Sequence, residues 1–313
     1  MRVVFLGSPA CVIPPLESLL ASNHEVVAVV SQPASKQGRG RKVMDPAVAE
    51  FAKQKGIEVL QPMKASDPDF LARFSALQPD VAITAAYGQI LTKKFLEIPK
   101  RGTINIHPSL LPKHRGATPV QNTLLEGDAK TGVSILFTVQ ALDAGNIICQ
   151  TEQNVAPEAT AEDLLHALFI EGGSQVLMAL QHLENPLYVG VEQDESLITL
   201  CKKIHKKDGQ ILWSESAQKI YQRFKAYQPW PGLYSFLEGR RIVFSDVKVS
   251  SQSFSETIGQ GRWEPESGVL RVQCAKGSLE VYSVKPEGKK LMKMHDFCNG
   301  RKNKEYFFTV EVS

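Results

Sequence analysis

The chain has 313 residues, 43% hydrophobic and 22% charged, the balance of a soluble globular protein with enough length to bury the core of one large domain or two medium ones. Its formal charge is only +3, yet residues 1–190 carry 16 Lys and Arg against 18 Asp and Glu, while residues 191–313 carry 20 against 15. No apolar run is long enough to span a bilayer, and a basic C-terminal part on a near-neutral body points to a polyanionic partner.

In chain order, Met1-Arg2-Val3-Val4-Phe5-Leu6 reads as a strand from the outset, so no export signal is expected. It ends at a glycine turn, followed by a helix over "PPLESLLAS" and a second strand over "HEVVAVVSQ". A nicotinamide enzyme would place G-x-G-x-x-G after the first strand and an acidic residue at the end of the second, and both are missing. "DPAVAEFAKQKG", "IEVLQP", "DPDFLARFSALQP", "DVAITAAYG" and "TINIHP" continue the alternation of helix and strand. This rhythm predicts an α/β fold, a doubly wound, mostly parallel sheet with helices on both faces. "GVSILFTVQALDAGNIICQTEQNV" then has β-rich runs on either side of a turn, and "AEDLLHALFIEGGSQVLMALQHL" has helical periodicity. Next, "ENPLYVGVEQDESLITLCKKIHKKDGQ" mixes Pro, Gly and charge without a period, as a connection between domains does. The expected division is a catalytic domain over 1–188, a linker over 189–206 and a C-terminal domain over 207–313. Short strands with Gly turns make that last part a small OB-like β-barrel. Within it, Trp230-Pro231-Gly232 reads as core and turn rather than as a base-stacking platform. Five scattered cysteines, Cys11, Cys149, Cys201, Cys274 and Cys298, form no C-x-x-C pair and read as the reduced thiols of a cytoplasmic protein.

The chemistry is sought in Thr103-Ile104-Asn105-Ile106-His107. Alternate residues of a strand share a face, so Asn105 and His107 stand side by side, roughly 7 Å apart at Cα. At the C-terminal edge of a parallel sheet they would open into the crevice where ligands bind. Acyl transfer needs a donor for a developing oxyanion and a group of near-neutral pKa to move protons, which an amide and an imidazole supply. His107 and His114 lack the Cys or Glu neighbours of a zinc site, so no metal is expected. A protein nucleophile is missing too, since no G-x-S-x-G occurs, and a direct attack by a substrate amine on a carried acyl group is the reaction left. Asp143, at the turn in "QALDAGNII", is the carboxylate placed to orient the imidazole and raise its pKa.

"NIHPSLLPKHRGATPVQNTLLEGDAKTGVSI" followed by "LDAGNII" resembles the signature of formyltransferases that use 10-formyltetrahydrofolate. The N-x-H, S-L-L-P, R-G-A-x-P, G-D-x-x-T-G-V and L-D-x-G elements occur in that family's order and spacing. The resemblance implies the family's Rossmann-like fold and puts Asn105, His107 and Asp143 on its catalytic triad. It also implies folate contacts from Ser109, Leu110, Leu111 and Pro112, and from Tyr87, Gly88 and Ile90 in "AAYGQIL". Ala10-Cys11-Val12 stands where the family usually shows Glu-Phe-Ala, and Asn122 is an unusual polar residue in its segment.

The acceptor amine is not set by the triad. The loop "SQPASKQGRGRKVMDP" carries Lys36, Arg39, Arg41 and Lys42 among glycines, a cationic finger suited to a nucleic-acid groove or backbone. Its K-x-G-R-G-R-K pattern resembles the loop of those family members that formylate methionine on initiator tRNA, where it enters the end of the acceptor stem. Residues 201–250, with Lys206 and Lys207 near their start, hold 10 Lys and Arg against 4 Asp and Glu. "KKIHKKDGQILWSESAQKIYQRFKAYQPWPGLYSFLEG" is similar to the start of the same members' second domain. The expected partners are therefore initiator methionyl-tRNA and folate, with a monomer as the acting species. An amino sugar nucleotide as acceptor, or a tRNA-binding relative without catalysis, stays open at this point.

Overall fold

Strand β1 (Arg2–Gly7) is apolar and buried from Val3 to Leu6 because it lies between two parallel neighbours and is covered on both faces. The computed structural model describes residues 1–37, 42–250, 252, 254 and 257–310. Contacts divide the chain into two units, one of Met1–Pro119, Ala129–Val155 and Asp163–Lys202, the other of Val120–Asp128, Ala156–Glu162 and Lys203–Ser313.

After β1 come α1 (Ile13–Leu20), β2 (Glu25–Val30), β3 (Ser35–Gln37), β4 (Lys42–Met44), α2 (Ala47–Gln54), β5 (Val59–Leu60), α3 (Pro68–Ala76), β6 (Val81–Ala85) and α4 (Lys93–Leu96). They are followed by β7 (Thr103–His107), β8 (Arg115–Gly116), α5 (Pro119–Glu126), β9 (Lys130–Phe137), β10 (Ile147–Asn154), α6 (Ala161–His182) and β11 (Leu200–Cys201). The main sheet has seven strands in the order β10-β9-β7-β6-β1-β2-β5. Its five strands from β7 to β5 run parallel, and β9 and β10 extend it antiparallel. From β1 the chain grows one way through β2 and β5, then the other way through β6 and β7. The switch between β1 and β6 opens the crevice that a doubly wound sheet uses for ligands. β1 closes at Gly7, where an added Cβ would stand 2.8 Å from Val12 Cγ2 and 3.1 Å from the carbonyl oxygen of Ala85.

Local chemistry sets the helices. α1 opens on Pro14 and Pro15, whose missing N–H groups cost nothing in a first turn. Asp67 caps α3 by accepting from the backbone N–H groups of Asp69 at 3.0 Å and Phe70 at 3.1 Å. α3 then stacks Phe70 and Phe74 on Phe95 of α4, with ring centroids 6.3 and 4.5 Å away, against Val4, Leu6, Ala82 and Tyr87. Residues 191–202 also belong to the first unit. Val191 bridges to Ile147, with both backbone hydrogen bonds at 2.8 Å, and β11 pairs in parallel with β8.

The second unit carries α7 (Ala217–Ala226), β12 (Leu233–Leu237), β13 (Arg240–Ser250), β14 (Gln260–Glu264), β15 (Val269–Gln273), β16 (Ser278–Pro286), β17 (Met292–Lys293), α8 (Met294–Asn299) and β18 (Tyr306–Thr309). Six strands close a barrel in the ring β12-β13-β16-β15-β14-β18, and β17 pairs outside it with β16. β13 pairs with β12 on one side and β16 on the other, and its register shifts on either side of Asp246. Such a bulge sharpens the twist and lets the sheet curl onto itself. Trp213, Phe244 and Phe308 fill the interior with centroids 5.3–5.8 Å apart. The indole N–H of Trp213 donates to Ser235 Oγ at 3.0 Å, and that hydroxyl donates to the carbonyl of Thr309 at 2.7 Å.

The cluster Trp230-Pro231-Gly232 is a turn but not core. The Gly232 N–H closes it onto the carbonyl of Tyr227 at 2.8 Å, and the buried ring at this corner is Tyr227, 7% exposed, whereas Trp230 is 58% exposed.

Each core has a single substitution that tests it. Phe74→Ala or Phe95→Ala empties the aromatic stack and is expected to lower unfolding free energy by about 3–5 kcal/mol in urea titration. Ser235→Ala leaves the Trp213 N–H buried without its acceptor and is expected to cost about 1–3 kcal/mol, followed by tryptophan fluorescence.

Candidate active site

The site is built on β7, whose register is set on both sides. Asn105 lies opposite Thr84 on β6 and Leu136 on β9, and His107 lies opposite Ser134. Ile104 and Ile106 go to the core at 0% and 2% exposure, so the strand period turns Asn105 and His107 together onto the other face. The turn between β9 and β10 folds over that face and delivers Asp143 in a left-handed conformation, φ +50°.

Four side chains and two backbone groups then meet. Nε2 of His107 lies 3.1 Å from the carbonyl oxygen of His114. A carbonyl only accepts, so Nε2 carries the hydrogen and Nδ1 is the basic nitrogen of the neutral ring. Nδ1 faces Asp143 Oδ2 at 3.7 Å. The same Oδ2 accepts from the Gly116 N–H at 2.8 Å, while Oδ1 lies 3.5 Å from Nδ2 of Asn105. Thr84 Oγ1 donates to Asn105 Oδ1 at 2.8 Å, which makes Nδ2 the amide's donor end, turned toward Asp143. Gly116 sits at φ +124°, and an added Cβ would stand 2.8 Å from the carbonyl oxygen of Cys201, so only glycine lets β8 lie between Asp143 and β11.

Burial governs the electrostatics. His107 is 3% exposed, and desolvation holds its pKa below the ordinary 6.5, against the opposing pull of the Asp143 carboxylate and its bond to His114. The expectation that Asp143 raises the histidine is right for that pair, but burial is the larger effect and the net shift is downward. Cys201 beside them is pushed up to about 12 by burial and then by Asp143, which makes it an inert thiol.

The remaining expected residues are placed as follows. Tyr87, Gly88 and Ile90 follow the C-terminal end of β6. The Tyr87 carbonyl accepts from Ser8 Oγ at 3.3 Å and Gln32 Nε2 at 3.0 Å, and its ring is buried. Gly88 is exposed, and Ile90 is an apolar side chain 90% open. Ser109 and Leu111 are buried, Leu110 and Pro112 half-buried. The Ser109 hydroxyl donates to the Lys113 carbonyl at 2.7 Å, and Ser134 Oγ donates to the Ser109 carbonyl at 2.6 Å. Lys36 and Lys42 are exposed on the β3–β4 hairpin, where Lys36 pairs with Val43 and Lys42 with Gln37. Arg39 and Arg41 lie outside the described residues. Lys206 and Lys207 are exposed in a 3-10 turn of the second unit. Among the described residues no group of His, Cys, Asp and Glu has the placement to hold a metal ion, and no helix is long and apolar enough to cross a membrane.

Two participants were not singled out in the sequence. Thr84 had a signal, as the one hydroxyl in the buried apolar run Val81–Ala85. Gln193 had none: its carboxamide joins Arg115 to the Asp143 turn from within an aperiodic polar stretch.

The formyl transferase family model matches residues 1–179, and the formyl transferase C-terminal domain model matches residues 203–302. The methionyl-tRNA formyltransferase of Hydrogenovibrio crunogenus is 36% identical over 301 residues, covering 96% of each chain. In fold, the chain is similar to WlaRD, a sugar 3N-formyl transferase solved in the presence of dTDP and 5-N-formyl-THF, with TM-score 0.66, 16% identity and coverage of 93% and 99% of the two chains. It is also similar to the methionyl-tRNA formyltransferase from Clostridium thermocellum, with TM-score 0.57, 15% identity and coverage of 81% and 95%. Matched in both parts and aligned end to end with such a relative, the chain belongs to the methionyl-tRNA formyltransferase family.

Proposed function

We propose that the chain transfers a formyl group from 10-formyltetrahydrofolate to the amino group of methionine on initiator tRNA, acting as a cytoplasmic monomer. The observation that carries the chemistry is the convergence of Asn105, His107 and Asp143, with neighbouring contacts of 3.5 and 3.7 Å, on one face of β7. Bound folate supplies an activated formyl carbon and a leaving nitrogen. As the amine attacks, Nδ2 of Asn105 donates to the formyl oxygen, where negative charge develops. His107 accepts the amine proton at Nδ1, the basic nitrogen left free by the His114 carbonyl, and passes it to the departing nitrogen. Asp143 stabilises the imidazolium while it exists. The exposed Ile90 and the half-buried Leu110 and Pro112 offer apolar surface for the folate ring system.

Lys36, Arg39, Arg41 and Lys42 are assigned to the acceptor end of the tRNA, and Lys206 and Lys207 to its backbone. The amino sugar nucleotide reading is not favoured by any residue of the site, and the family of the near-full-length relative speaks for tRNA.

The direct test is formyl transfer to methionyl initiator tRNA, with an amino sugar nucleotide offered in parallel. Robust transfer to the tRNA alone is expected, and transfer to the sugar alone would replace the acceptor. Asn105→Ala, His107→Ala and Asp143→Ala should each lower kcat by about 10²-fold or more, with tRNA affinity unchanged. A variant that keeps its turnover removes that residue from the mechanism. Arg39→Ala/Arg41→Ala should weaken tRNA binding and flatten its salt dependence while kcat holds. Neutral His107 is the proton-accepting form, so turnover should persist at pH 7 and fall only as pH drops through a pKa below 6.5. Asp143→Asn removes the charge that opposes burial, so the acid limb of kcat should move to still lower pH. Movement to higher pH would contradict the assignment.

A further inference from the structure

Asp143 is a non-glycine residue at φ +50°, in a turn that the Ala144 N–H closes onto the Ala141 carbonyl, and the side chain of Gln193 binds the backbone of that turn. Nε2 of Gln193 donates to the carbonyl oxygens of Asp143 at 2.8 Å and Gly145 at 2.7 Å. Its Oε1 accepts from Nε and Nη2 of Arg115 at 3.0 and 2.8 Å. Both donors and both lone pairs of the carboxamide are thus used, and reversing it would set an NH₂ against a guanidinium. Arg115 stands between His114, whose carbonyl holds His107, and Gly116, whose N–H holds the Asp143 carboxylate. One carboxamide therefore ties the backbone beneath Asp143 to the segment that carries the partners of both catalytic side chains. Its own segment is anchored at each end. Nδ2 of Asn146 donates to the Val189 carbonyl at 2.9 Å, and the His114 N–H donates to Thr199 Oγ1 at 2.8 Å.

We propose that Gln193 is a positioning residue for formyl transfer, holding the Asp143 carboxylate at its working distance from His107 and Asn105 through the backbone of the 143–145 turn. It touches none of the reacting groups. This rests on the roles proposed above for Asp143 and His107. The titratable neighbours of that pair are His114, ahead of β8, and Cys201 on β11, and neither is bonded to Gln193.

The experiment compares Gln193→Leu, Gln193→Glu, Asp143→Ala and, as control, the exposed Glu195→Gln of the same segment. Steady-state formyl transfer to methionyl initiator tRNA is read together with the NMR titration of the His107 imidazole. Gln193→Leu keeps the volume and loses every hydrogen bond. Gln193→Glu keeps an acceptor for Arg115 and loses the donors to the turn, so it remains informative if the leucine variant folds poorly. Displacement of a catalytic group by about 1 Å can cost about 10²-fold, so both variants are expected to lose about 10- to 10²-fold in kcat, with both KM values nearly unchanged. The His107 titration should shift to lower pH as the carboxylate withdraws, and the control should match wild type. Full kcat in both Gln193 variants beside an inactive Asp143→Ala overturns the inference and leaves the site intact. So does a loss of kcat with the His107 titration unmoved, which marks a merely structural role. Full turnover in Asp143→Ala overturns the reading of the site itself.

Discussion

Because a carbonyl oxygen can only accept, the bond from Nε2 of His107 to His114 commits the neutral imidazole to one tautomer and leaves Nδ1 as its basic nitrogen. Much of the first unit serves that arrangement. β7 must sit between β6 and β9 for His107 to face the right way, and the chain must turn sharply after it for the His114 carbonyl to come back within 3.1 Å. His114 takes a left-handed conformation at φ +61° to do so. The result is a buried imidazole in which desolvation favours the neutral form, with the Asp143 carboxylate 3.7 Å from Nδ1.

A carboxylate drawn largely out of water is costly unless hydrogen bonds replace that water. Asp143 takes a backbone N–H from Gly116 and faces the Asn105 amide, which in turn is oriented by Thr84. These donors are fixed before any substrate arrives, and a preorganised polar site is what lets a developing charge be stabilised without reorganisation. The rigidity comes from elsewhere: the doubly covered strands β1 and β6, and the phenylalanine stack beside them.

Fold and acceptor are separate questions. The scaffold is similar both to a sugar N-formyl transferase and to a methionyl-tRNA formyltransferase, each at about one residue in six identical. A shared scaffold leaves the acceptor open, and the acceptor has to be argued from particular residues. Lys36 and Lys42 on the paired strands β3 and β4, and the 10 Lys and Arg against 4 Asp and Glu over residues 201–250, are features that suit a polyanionic acceptor.

Local information was enough for a good part of this. Strand β7, the alternation that makes a parallel sheet, and the Gly-punctuated strands of the barrel are written in periodicities of two and of three to four residues. Asn105 and His107 share a face for the same reason, and Asp143 stands out by its place at a turn between two strand-like runs. Residue order alone was enough for the kinds of element, for which side chains share the face of β7, and for the uneven distribution of charge. Tertiary structure alone decided what acts on those residues. Nothing local ties Gln193 to a carbonyl 50 positions earlier, orients Asn105 through Thr84 on a neighbouring strand, or makes Tyr227 rather than Trp230 the buried ring of its turn. Nor does local sequence say that burial outweighs Asp143 at His107, because desolvation depends on every element packed around the ring. Periodicity reports which side of an element faces inward, whereas hydrogen-bond partners and local dielectric are properties of what arrives there from distant parts of the chain.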